Sequence, residues 1–156
     1  MYHRNLGELC RRLGRLDEAV LAGQHAVALE PRDADAHANL GLAWADQGAW
    51  PAAIACYQQA LALNPNNGMV WNNLGASLVQ SGEAAAEQAF RNAIALNPAH
   101  AEALINLGLL LQRQGNAAAA HACLAQAEQA APGILMRVGL NPNPAPPRTQ
   151  PPAPVR

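Results

Sequence analysis

Apolar residues recur along the chain at three- and four-residue steps. Leu6, Leu9, Cys10 and Leu13 are the first such set, and that spacing places all four on one face of a helix. The pattern then starts again. Asn5-Leu6-Gly7 returns as Asn39-Leu40-Gly41, Asn73-Leu74-Gly75 and Asn106-Leu107-Gly108, at spacings of 34, 34 and 33 residues. A second glycine follows seven residues later in every copy, at Gly14, Gly48, Gly82 and Gly115. Alanines recur at Ala19, Ala53, Ala86 and Ala120, and again at Ala26, Ala60, Ala93 and Ala127. Gly23, Tyr57, Phe90 or Leu124 stands eight residues before a closing proline, which is Pro31, Pro65, Pro98 or Pro132.

Each column has a physical reason. The first glycine lets a partner helix approach closely. The second ends the helix, where a left-handed residue is needed. The alanines let backbones pack tightly along a second helix, and the proline stops it. In the second copy Pro51 sits near the start of that helix, where its missing N–H costs nothing. Every copy therefore reads as helix–turn–helix, and the pattern predicts eight helices and no strand. Their expected spans are about 2–14, 17–30, 34–47, 51–63, 68–81, 84–97, 101–114 and 117–130. Copy three is one residue short between Gly82 and Ala86, so its inter-helix turn is expected to differ.

These columns resemble the tetratricopeptide repeat (TPR), with its 34-residue period, Leu-Gly, later Gly-x4-Ala, aromatic, Ala and Pro. The resemblance covers residues 1–132 and implies an all-α, right-handed α-α superhelix, a TPR solenoid of four repeats. Their expected bounds are 1–33, 34–67, 68–100 and 101–132. First helices would line the concave side and second helices the convex side. The apolar stretch Gly133–Val138 suits either a short cap over 133–140 or the start of a fifth repeat. From Asn141 onward the chain changes character, with seven of its twelve prolines between Pro142 and Pro154. Such a segment cannot build a core and reads as a flexible tail or linker, residues 141–156.

Composition narrows the function classes. Alanine supplies 36 of 156 residues, and there are 10 Arg and no Lys. Net charge is −1, without a basic cluster, which is a poor footing for nucleic acid. The charge is uneven: residues 1–132 hold 7 Arg against 11 acids, whereas 133–156 hold three Arg and no acid. No apolar run is long enough for a membrane span, and the N-terminus lacks an apolar signal core. Cys10, Cys56 and Cys123 are too far apart for a zinc site and odd in number, which fits buried thiols in a reducing, cytoplasmic setting.

Catalytic constellations are not apparent. The chain has no Gly-rich phosphate loop, His-Glu-x-x-His or Cys-x-x-Cys, and only two serines, Ser77 and Ser81. His3 and His37 share a column but have no third ligand. The expectation is a non-enzyme without metal or cofactor, whose working surface is the concave groove. The Asn before each Leu is rotated about 100° from it and should reach the groove wall. Asn5, Asn39, Asn73 and Asn106 then form a ladder, with Asn72 and Gln80 adding amides in copy three. Helices pack about 8–10 Å apart, and an extended peptide rises about 3.3 Å per residue. One Asn thus meets roughly every third residue of a bound strand, and a carboxamide can both donate to and accept from its backbone. Ala38, Leu42, Ala76, Val79, Ile105 and Leu109 would make the rest of the wall small and apolar.

The ladder resembles the TPR superhelix of O-GlcNAc transferases, where groove Asn residues hold substrate backbones. The chaperone-type clamp on a C-terminal carboxylate is not matched, because the columns expected to be basic hold Asp35, Ala38, Met69 and Glu102. Three functions follow from this reading. The leading one is an adaptor or scaffold module that binds an extended peptide. The alternatives are the substrate-recruiting part of a larger bacterial glycosyltransferase, and an assembly scaffold that self-associates through its solenoid ends or Pro-rich tail.

Overall fold

The computed structural model describes residues 2–140, with side chains from Leu6 onward. The Asn5 side chain and the Pro-rich segment 141–156 lie outside the described residues. Among the described residues all regular structure is helical. The helices are α1 (Tyr2–Arg12), α2 (Leu16–Leu29), α3 (Ala34–Asp46), α4 (Trp50–Leu63), α5 (Gly68–Ser81), α6 (Ala86–Leu96), α7 (Ala101–Arg113), α8 (Ala117–Ala130) and the short α9 (Ile134–Arg137).

Helix ends follow from the turn chemistry. Gly48 and Gly82 have φ of 74° and 77°, the left-handed region that side chains disfavour. Around Gly82 two bonds close the last turn of α5: Gly82 N–H donates to Val79 O at 3.2 Å and Glu83 N–H to Leu78 O at 2.9 Å. At the starts, Asn67 accepts from Val70 N–H at 3.2 Å and Asn116 from Ala119 N–H at 3.2 Å, each satisfying an orphan donor. The missing residue of copy three is taken from α6. That helix begins at Ala86 rather than near 84, and it has 11 residues where α2, α4 and α8 have 14. The Gly82 turn keeps its hydrogen bonds, so the first turn of the following helix absorbs the deletion.

Successive helices pack against one another, making four hairpins from α1 to α8. Inside the hairpins large side chains lie against glycines. A Cβ on Gly41 would stand 2.6 Å from Tyr57 Cε1, and one on Gly75 would stand 2.6 Å from Phe90 Cε1. Both rings are 1% exposed. Full burial of a side chain this size is worth about 1.5–3 kcal/mol, so these residues anchor the core. The first helices of neighbouring hairpins touch (α1 with α3, α3 with α5, α5 with α7), whereas the second helices do not come together to that extent. A stack tighter in one layer curves toward it. The odd-numbered helices α1 to α7 therefore line the concave side.

The C-terminal end of the stack carries α9. Leu135 is 2% exposed and joins the cluster of Leu104, Ile105 and Ala127. The Glu128 carboxylate accepts from the backbone N–H of Gly133 and of Leu135, which ties α8 to the start of α9.

Candidate binding groove

In copies two to four the column before the ladder Asn is buried. Ala38 is 9% exposed, Asn72 6% and Ile105 6%. These residues lie in seams of the stack rather than on an open wall, which corrects the placement expected for Ala38 and Ile105. Asn72 is the polar member of that column. Its Oδ1 accepts from Asn106 Nδ2 at 2.9 Å, a bond between two repeats. Burying an unpaired carboxamide would be costly, so this bond explains how Asn72 is tolerated.

The ladder residues stand one position further round. Asn39, Asn73 and Asn106 are each half-buried. Among the described residues, the carboxamides of Asn39 and Asn73 make no hydrogen bond. Asn106 has given one N–H to Asn72 and keeps the other, together with its oxygen. Beside it is a cavity of about 210 Å³ between α5 and α7, lined by Ala76, Val79, Gln80, Phe90, Asn106, Leu109, Leu110 and Arg113. The structure thus brings Asn106 and Gln80 together with the small apolar residues expected of the wall.

Toward the N-terminal end the charged side chains pair with one another. Arg11 donates to Asp46 at 2.7 Å and to Glu8 at 2.8 Å, and Arg12 donates to Glu8 at 2.8 Å. These charges answer one another.

Several ring and amide side chains serve the fold. His37 Nε2 is 3.0 Å from Pro31 O, so that nitrogen carries the proton and donates to the carbonyl. Trp71, 34 residues on, repeats the bond from Nε1 to Pro65 O at 2.8 Å. In the next repeat Leu104 holds the column, and Gln126 Nε2 donates to Pro98 O at 3.0 Å instead. Trp44 and Trp71 are half-buried against the main hydrophobic cluster. Cys10 is buried and Cys56 and Cys123 are partly so; all three are free thiols. Burial pushes the Cys56 thiol above its ordinary value, and the Cys123 thiol likewise. Among the described residues no three His, Cys, Asp or Glu side chains are grouped to hold a metal ion, and no helix is long and apolar enough to cross a membrane.

Two family models match the sequence. The TPR repeat matches residues 7–48, and the Cilia and flagella-associated protein 70 middle TPR-like domain matches residues 46–136. The chain belongs to the TPR-like repeat family. No curated protein matches this TPR chain. Solved structures do. The crystal structure of MamA is 25% identical with a TM-score of 0.77, covering 84% of this TPR chain and 77% of that one. A Pseudomonas aeruginosa PilF structure is 26% identical with a TM-score of 0.76, covering 83% of this chain and 60% of PilF. The TPR fold is that of a protein-interaction scaffold.

Proposed function

We propose that this TPR array holds an extended peptide segment of a partner protein in its concave groove and acts as an adaptor or scaffold. Residues 1–132 supply four binding repeats, 1–33, 34–67, 68–100 and 101–132, and 133–140 closes the C-terminal end. The observation that supports the reading is the state of the Asn ladder: Asn39 and Asn73 are half-buried and make no hydrogen bond among the described residues, and Asn106 is bonded to Asn72 beside a cavity lined by both apolar and polar side chains. Carboxamides at that spacing suit main-chain amides, which every peptide offers regardless of its side chains. In the sequence Asn5 is the first member of the ladder, and Asn72 holds Asn106 in position. The chain itself performs no catalysis, and its three free thiols suit the reducing cytoplasm.

The test is a peptide array probed with the native chain and with the Asn39→Ala, Asn73→Ala double variant. Each lost hydrogen bond costs about 0.5–1.5 kcal/mol, so two weaken binding roughly fivefold to 150-fold. The variant should melt no earlier than the native chain. Undiminished binding by the folded variant would overturn the proposal.

A further inference from the structure

The ladder accounts for affinity along the strand but not for choice among strands. A second column, seven residues after the ladder, supplies one residue per repeat: Arg12, Asp46, Gln80 and Arg113. Arg12 is bonded to Glu8 and Asp46 to Arg11, each at 2.7–2.8 Å. Gln80 and Arg113 make no bond among the described residues, and both line the cavity of about 210 Å³ beside Asn106. The N-terminal half of the groove therefore has its charges paired, and the C-terminal half has a guanidinium without a partner among the described residues.

Placement at the end of α7 suits a cation, because the helix dipole is negative there. That does not occupy its five N–H donors. Glu102 is at the opposite end of the same helix, 11 residues and about 16.5 Å away, too far to pair.

Resting on the groove reading above, we infer that the Gln80–Asn106–Arg113 cavity selects an internal acidic side chain, glutamate above aspartate, on the bound segment. Asn106 and Arg113 are two turns apart on one face, about 10.5 Å along the axis. A strand crossing α7 gives its backbone to Asn106. The side chain of that residue then runs along the helix, while Arg113 leans back toward it, as helical side chains do. The longer carboxylate closes that gap better than the shorter. A free C-terminus cannot do so, because it continues the strand rather than leaving it sideways. Flanking residues must be small and apolar to pass Ala76, Val79 and Leu109.

The experiment uses arrayed, acetylated peptides of randomised small residues in three sets. One carries a central Glu and an amidated end, one a central Gln and an amidated end, and one no acid side chain but a free C-terminus. The native chain should retain the Glu set about fivefold more strongly than the Gln set, as for a partly exposed ion pair. Arg113→Gln should remove that preference, so that the Glu and Gln sets are retained alike. Equal retention of Glu and Gln by the native chain, a preference that survives Arg113→Gln, or selection of the free C-terminus would each overturn the inference. In those cases retention of the Gln set, lost in Asn39→Ala with Asn73→Ala, still upholds the ladder. Failure of every set to bind overturns both.

Discussion

Asn106 and Asn73 occupy equivalent columns, yet the structure separates the consequences of removing them. Asn73→Ala breaks no hydrogen bond among the described residues and puts a better helix former in mid-helix, for a gain of up to ~0.7 kcal/mol. Asn39→Ala should behave the same way. Asn106→Ala gains that amount too, but it removes the donor to Asn72 Oδ1, bonded at 2.9 Å, and Asn72 is only 6% exposed. Stranding a buried acceptor costs about 1–3 kcal/mol. The net effect is a loss of roughly 0.3–2.3 kcal/mol, or about 1–9 °C in melting temperature at this chain size. Adding Asn72→Ala removes the stranded group and restores a residue type that copy two already uses at Ala38. The double variant should therefore be more stable than Asn106→Ala alone. Urea unfolding of all four proteins closes the cycle, and a coupling of about 1 kcal/mol or more is expected. If Asn106→Ala is as stable as Asn73→Ala, or if Asn72→Ala only adds to the loss, then the seam bond does not hold Asn106.

Two further outcomes follow from packing and burial. Gly75→Ala forces a Cβ to within 2.6 Å of Phe90 Cε1 and should destabilise by about 1–3 kcal/mol, whereas Gly7→Ala meets nothing nearer than Ala19 O at 3.6 Å and should stabilise by up to ~1 kcal/mol; thermal melts of the two variants check the contrast. Burial pushes the Cys56 thiol up, so iodoacetamide should label it more slowly than a cysteine peptide at the same pH, with the rate climbing only above the ordinary thiol value. Because its folded value is raised, the stability it contributes is full below the ordinary value and is lost as pH rises through the raised one.

Helix order, hairpin pairing and most boundaries were legible because Gly, Pro and capping residues punctuate every repeat. The start of α6 was not. A one-residue deletion can be absorbed on either side of Gly82, and only packing decides that the following helix loses its first turn. The wall was half legible. Rotation about the helix leaves Asn39, Asn73 and Asn106 half-buried, whereas the preceding column of Ala38, Asn72 and Ile105 is buried in the seam. Its composition carried the signal, since Ala38 and Ile105 are apolar and one polar exception needs a partner. The ring-to-carbonyl bonds were also available, because His37 and Trp71 each stand six residues after a repeat-closing proline. Which amide pairs with which could not be read. That depends on neighbouring first helices touching, a property of curvature rather than of any single repeat.

A repeat array repeats its backbone, and recognition comes from where its side chains break the repetition. Along the inner column the first two copies spend their charges on each other through Glu8, Arg11, Arg12 and Asp46. The last two present Gln80 and Arg113 to the groove beside Phe90, whose ring also packs against Gly75. Core and wall therefore meet at Phe90. Shrinking it would loosen the third hairpin and reshape the cavity together, so it cannot separate stability from binding. Arg113 can. It is exposed, lies at a helix end and has no partner among the described residues, so its replacement by Gln leaves nothing buried unpaired and tests the proposed selection on a folded chain.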